Sequence, residues 1–260
     1  MKISKERKYI YLIVFIFIIS FLLYFASIRP KVSKFKLEDK TEEINKAKKY
    51  GDSVIGWLTV EGTNIDLPLI QVVTGTDVTN REYNYAWIYA HPDEKSNHVS
   101  YVSHNIRNVS KNPIVGDNTM TGFEQLLNFI YPSFIEKNQY IAYTNERGDK
   151  AMYKIYGVSL VENDQSASFT DIYTKSEQKK YITTSKKESM YNMDIDVNED
   201  DDLLSLLTCT RFYGDDSYTF RVDARKLRDN EKQVLTKVVI NDNYKKIEKR
   251  MKEGETNEEA

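Results

Sequence analysis

"LLSLLTCT", residues 203–210, is the stretch whose reading decides the fold. It is a short apolar run interrupted only by small and β-branched polar residues, which is strand-like in both length and composition. It also carries Cys209, the single cysteine of a 260-residue chain, so no intramolecular disulfide can form. Two readings are open: a small buried hydrophobe, or a reactive thiol. A nucleophilic thiol works as its thiolate, with a histidine or a cation nearby. The chain offers three histidines, His91, His98 and His104. Acyl transfer would also need a donor for the developing oxyanion, and Arg211, Arg221 and Arg225 follow the cysteine.

Outward from this strand, the region from Asp52 onward reads as short alternating runs broken by turn residues. "IGWLTVEGTNIDLPLIQV" gives a strand, a turn at Glu61-Gly62, and a second strand in which Pro68 indicates an edge. "HVSYVSHN", "QYIAYT" and "AMYKIYGVSLV" are further strand candidates. "TGFEQLLNFI" reads as a short helix. "FTDIYTKSEQKKYITTSKK" reads as a longer one, with Thr174 as N-cap and Glu177 completing a capping box. Closely spaced strands with a few inserted helices predict a β-barrel or β-sandwich. The acidic run "NEDDD" at 198–202 is a solvated turn and predicts no calcium site.

At the N-terminus a basic head precedes an uninterrupted apolar run from Tyr9 to about Ala26. A helix of that length crosses a hydrocarbon core of ~30 Å. "FAS" before Ile28 is a poor cleavage site, which favours an uncleaved anchor over a removed signal peptide. Basic residues flank the run on both sides, so the orientation rests on the short head and the long soluble part that follows: N-terminus inside, domain exported. An exported domain without paired cysteines suits a Gram-positive surface. Residues 29–51 form a charged, helix-friendly spacer, and 229–260 a charged tail expected to be frayed or disordered. The net charge of -2 gives nucleic-acid binding no support.

A set of motifs, in order along the chain, resembles the sortase family. "LLTCT" resembles the family's Thr-Leu-x-Thr-Cys strand, and "VSYVSHN" its strand ending in Gly-His-Asn. "IGWLTVEGTNIDLPLIQ" is similar to the opening of class B sortase domains, and "TMTGFEQLLNF" to the helix that follows the histidine. The helical insertion before the cysteine strand also resembles class B. The resemblance covers residues 52–228 and implies a mainly β chain: a sortase-like closed barrel with inserted helices, behind an N-terminal transmembrane helix at 1–28.

The resemblance assigns Cys209 as nucleophile and His104 as the histidine that moves protons. Two positions depart from the family. Ser103 stands where a glycine is usual. Thr219 falls at the family's arginine position, with Arg221 two residues further on and on the same strand face. A bulge or a longer loop would bring Arg221 into place, and Arg221 is taken as the third catalytic residue ahead of Arg211. His91 and His98 read as surface or strand residues, and Trp57 and Trp87 as packing residues.

The implied activity is an extracellular, single-pass membrane transpeptidase. It would cut the C-terminal sorting motif of surface proteins through a thioacyl-enzyme and pass the acyl group to an amine acceptor. That amine belongs to a peptidoglycan precursor or to a pilin lysine. No metal or organic cofactor is implied. Two rivals stay open: a cysteine peptidase, and a non-catalytic surface-binding domain on a sortase-like scaffold.

Overall fold

The alternating run at Val54 forms β1 (Val54–Val60), where Val54, Gly56, Leu58 and Val60 are buried and the residues between them only partly so. Burial with period two is what a strand with one face on a core requires. The computed structural model describes residues 5–28, 30–48, 53–72, 85–88, 97–105, 122–162, 172–210 and 218–258. It divides into two units, Met1–Val32 and Ser33–Ala260.

In the second unit β1 turns through Glu61 and Gly62 into β2 (Asp66–Gln71). Gly62 has φ +75°, a left-handed backbone that glycine adopts without strain, and the Asn138 side chain lies against it. The remaining strands are β3 (Ala86–Ile88), β4 (His98–Val102), β5 (Tyr140–Asn145), β6 (Lys150–Glu162), β7 (Tyr191–Met193), β8 (Leu203–Thr210), β9 (Tyr218–Lys226) and β10 (Val238–Ile240). Eight of them close into a barrel in the order β1-β2-β3-β4-β8-β9-β6-β5, while β7 and β10 pair separately. The barrel is therefore the observed alternative and the sandwich is not. Inside it Leu58, Val60, Leu67, Leu69, Tyr101, Ile141, Leu204, Leu206, Phe220 and Val222 share one core. Each such aliphatic or aromatic side chain contributes roughly 1.5–3 kcal/mol by leaving water.

Pro68 does not mark a sheet edge. Strand β2 is bonded on both sides, but its pairing with β3 begins only at Leu69. The missing N–H of Pro68 falls before that ladder starts, so no bond is lost.

The helices follow their local signals, with two corrections of extent. Among its described residues the 29–51 segment has one short helix, α2 (Thr41–Ala47), and it is no free spacer. Its Ile44 and Ala47 pack with Val54, Ile70, Tyr85 and Trp87, while Phe35 packs against Tyr140 and Met152. "EQLLNFI" is a 3-10 helix at Glu124–Ile130, followed by α3 (Pro132–Ile135). The longer helix, α4 (Lys175–Glu188), has both bonds of the Thr174–Glu177 capping box.

The second correction concerns the C-terminal tail, which packs on the domain and is helical from Asp242 to Glu258. Lys154 Nζ donates to Val234 O and Thr236 Oγ1, each at 2.7 Å. Arg225 grips Glu231 through two bonds of 2.6 and 2.7 Å. After β10 comes α5 (Asp242–Glu258), whose Tyr244 and Ile247 are buried and whose Met251 packs beside them. That i, i+3, i+7 stripe is one helical face laid on a core.

In the first unit, α1 (Lys5–Ile28) carries large apolar side chains that are exposed from Tyr9 to Phe25. Among the described residues no helix is long and apolar enough to cross a membrane.

Candidate active site

Two neighbouring strands deliver the site. Strands β4 and β8 run parallel, pairing His98 with Leu203, Ser100 with Ser205 and Val102 with Leu207. Beyond the last of these pairs the chains stay together. Ser103 N donates to Leu207 O at 3.2 Å, and Thr208 Oγ1 donates to Ser103 O at 2.9 Å. The side-chain amide of Asn105 then donates to Cys209 O at 3.1 Å.

Continuing the same register sets His104 level with Cys209. Strands in a sheet lie about 4.8 Å apart, and residues in register on parallel strands share a face. That face is the outer one, because Thr208 and the leucines Leu204 and Leu206 alternate with it toward the core. Cys209 is the one exposed residue of β8. His104 is half-buried, and its ring sits 4.8 Å from that of Trp87 on the neighbouring strand. Trp87, expected only to pack, thus also forms one wall of the histidine.

Ser103 needs no glycine freedom: its φ is not in the left-handed region. Its hydroxyl instead donates to Tyr85 O at 2.6 Å, tying the residue before the histidine to the start of β3. The glycine requirement has moved to Gly122, with φ +55°. A Cβ there would lie 2.5 Å from Ser103 Oγ and 2.6 Å from His104 O. Next to it Phe123 N donates to His104 O at 2.9 Å, so the returning chain holds the histidine backbone from behind.

The arginine is placed differently from the expectation. The antiparallel β8–β9 ladder runs from Leu203 to Thr210 without a bulge, pairing Cys209 with Thr219 and Leu207 with Arg221. Arg221 shares the outer face of Cys209 but stands one ladder step away, about 7 Å along the strand. Its guanidinium is enclosed: Nε donates to Asp223 Oδ2 at 2.9 Å and Nη2 to Glu188 Oε2 at 2.8 Å. The Tyr181 ring covers it at 5.7 Å. Burial by itself would lower the pKa of Arg221, but Asp223, Tyr181 and Glu188 outweigh it and raise it above the ordinary value. Arg225 is likewise held, by Glu231 and the Asp196 carbonyl. Arg211 and His91 lie outside the described residues.

His98 is buried at the far end of β4, bonded to Ser205 and stacked on Tyr181. Among the described residues no group of three or more His, Cys, Asp or Glu side chains converges as a metal site would.

Comparison with known proteins identifies the family and the fold. The family model described as the sortase domain matches residues 58–227. Sortase B of Staphylococcus aureus (strain NCTC 8325 / PS 47) is 25% identical over 195 residues, covering 73% of this chain and 74% of that protein. A crystal structure of Clostridium perfringens sortase B superposes with a TM-score of 0.58 at 23% identity, covering 71% of this chain and 99% of that one. A Staphylococcus aureus sortase B–substrate complex superposes with a TM-score of 0.57 at 20% identity, covering 73% and 87% respectively. The barrel, the ordered motifs and the family match converge: the chain belongs to the sortase family, and the relatives it resembles are class B sortases.

Proposed function

We propose that this chain is a membrane-anchored extracellular cysteine transpeptidase acting on surface proteins that carry a C-terminal sorting signal. The observation that carries the reading is the β4–β8 register, which aligns His104 with Cys209 on one accessible face. The Cys209 thiolate attacks the backbone carbonyl of a threonine in the sorting motif, forming an S–C bond and a tetrahedral oxyanion. Collapse breaks the C–N bond, and His104 gives its proton to the departing amine. An acceptor amine then attacks the thioester, His104 takes its proton, and the thiolate leaves. The acceptor is a peptidoglycan precursor amine or a pilin lysine.

The assignment of Arg221 changes character with the geometry. Enclosed by Asp223, Glu188 and Tyr181, it acts as a positioning residue, and Thr219 is the side chain level with the nucleophile. The anchor is proposed from the sequence of α1: its uncharged run from Tyr9 to Ala26 measures about 27 Å as a helix, close to the ~30 Å of a hydrocarbon core, and basic residues flank it on both sides. It would confine the enzyme to the surface on which its substrates are displayed.

Product analysis tests the reading. The soluble domain is incubated with sorting-motif peptides, with and without triglycine or a lysine peptide. Ligated product that disappears in Cys209→Ala supports transpeptidation, whereas free acid regardless of amine identifies a peptidase. Thr219 at the arginine position motivates one further reading, a binding domain on a sortase scaffold, and a Cys209→Ala variant with full biological function would establish it.

A further inference from the structure

Strands β4 and β8 are parallel and joined by no turn, so no hairpin fixes their relative register. Slippage by one residue would turn every side chain to the other face. Beside the three bonds that tie the chains at the site, the same outer face carries, further along the strands, a buried hydrogen-bonded chain that touches every strand involved.

His98 opens β4, and its Nε2 lies 2.9 Å from Ser205 Oγ on β8. Ser205 Oγ donates to Asp223 Oδ1 on β9 at 2.7 Å. The same Ser205 hydroxyl lies 2.8 Å from Tyr181 OH, so one oxygen joins β4, β9 and α4. From α4, Tyr181 OH donates to the same Asp223 oxygen at 2.8 Å. Burial first, and then the Asp223 carboxylate, raise the Tyr181 pKa, which keeps this donor protonated. The other Asp223 oxygen receives Arg221, which is held in turn by Glu188 at the end of α4. The Tyr181 ring also stacks on His98 at 4.5 Å. His98, Ser205, Arg221 and Asp223 are each at most 3% exposed.

We propose that this chain, with Asp223 as its hub, is the positioning device of the reactive pair. His98–Ser205 is a direct side-chain bond between the two parallel strands, and Asp223 locks that bond to β9 and to the helix above. Its Arg221 stands in the layer of Val102 and Leu207, the layer next to that of Cys209 and His104. The inference rests on the transpeptidase reading, but it concerns how the pair is held and not what it attacks.

Ser205→Ala removes the shared hydroxyl, and Tyr181→Phe removes one donor while keeping the ring over His98 and Arg221. Both variants are measured for transpeptidation kinetics and for the rate at which iodoacetamide alkylates Cys209. The expected result in folded protein is a kcat about tenfold lower, a KM within about twofold of wild type, and alkylation slowed about tenfold. A folded variant with wild-type kcat and alkylation, or with raised KM and unchanged kcat, overturns the proposal. Should Ser205→Ala fail to fold, Tyr181→Phe carries the same test at unchanged ring volume. A wild-type domain that alkylates rapidly but transfers no acyl group would defeat the transpeptidase reading alone, and the alkylation comparison would still decide the positioning role.

Discussion

Cys209 faces Thr219 across the β8–β9 ladder. A thiolate attacking a carbonyl generates an oxyanion beside that partner, and a neutral hydroxyl stabilises it less than a guanidinium does. Thr219→Arg is therefore expected to accelerate acylation of Cys209, by about tenfold or more in a pre-steady-state adduct assay. An unchanged or slower rate in a folded variant would show that the oxyanion is served from elsewhere.

Arg221 is expected to be felt as stability before it is felt as chemistry. Arg221→Gln leaves the buried Asp223 carboxylate without its cation, while Glu188, the more exposed partner, can turn to water. Removing one member of a buried pair costs about 3–5 kcal/mol. Urea denaturation should register a loss of that size. A variant of wild-type stability that has nevertheless lost acylation would return Arg221 to direct contact with the oxyanion.

Gly122 sets the rear wall of the histidine. Gly122→Ala meets both a left-handed φ and the carbonyl of His104, a combination that cannot be relieved by rotating a side chain. The expected cost is about 1–3 kcal/mol, with kcat reduced because His104 is displaced. Thermal melting and steady-state kinetics on the same sample check both effects. Wild-type values for both would contradict the placement of this segment.

Glu61 gives the domain a pH-dependent stability. Burial raises its pKa from the ordinary 4.5, only partly offset by bonds from Ser33 Oγ, Gln139 N and Tyr140 N. A carboxyl with a raised native pKa holds its proton more tightly in the folded state, so stability falls as pH rises from 4.5 through the native value. Above that value the cost of the buried charge is fully present. Glu61→Gln keeps an acceptor for the two amides and offers an NH2 to Ser33 Oγ. Its melting temperature should exceed that of wild type at pH 7, with the difference shrinking toward pH 5. A difference independent of pH would mean that the charge of Glu61 is not the cause.

The barrel was legible because its strands obey local rules. The alternation from Val54 to Val60 and the polar breaks around it are visible without coordinates, as is the capping box at Thr174. Cys209 and His104 were legible as motifs, but their alignment is a property of a parallel pairing between distant segments, which no local pattern encodes. The alternation of Arg221, Asp223 and Arg225 reads locally as a solvated strand face. The helix laid over it makes that face interior and turns the arginine into a buried ion pair. Ser205, a polar residue inside an apolar run, was the one visible sign of this network. At the C-terminus, charge hid the stripe of Tyr244, Ile247 and Met251, whose helical spacing becomes meaningful only once β7 supplies a surface to cover.

The most direct measurement is intact-protein and peptide mass spectrometry of the soluble domain exposed to a pool of sorting-motif peptides, then to triglycine. The account predicts a thioacyl adduct on Cys209 that triglycine discharges as ligated peptide, and no adduct in Cys209→Ala. A domain that processes the peptides equally well without Cys209, or that never carries acyl mass on it, would contradict the account.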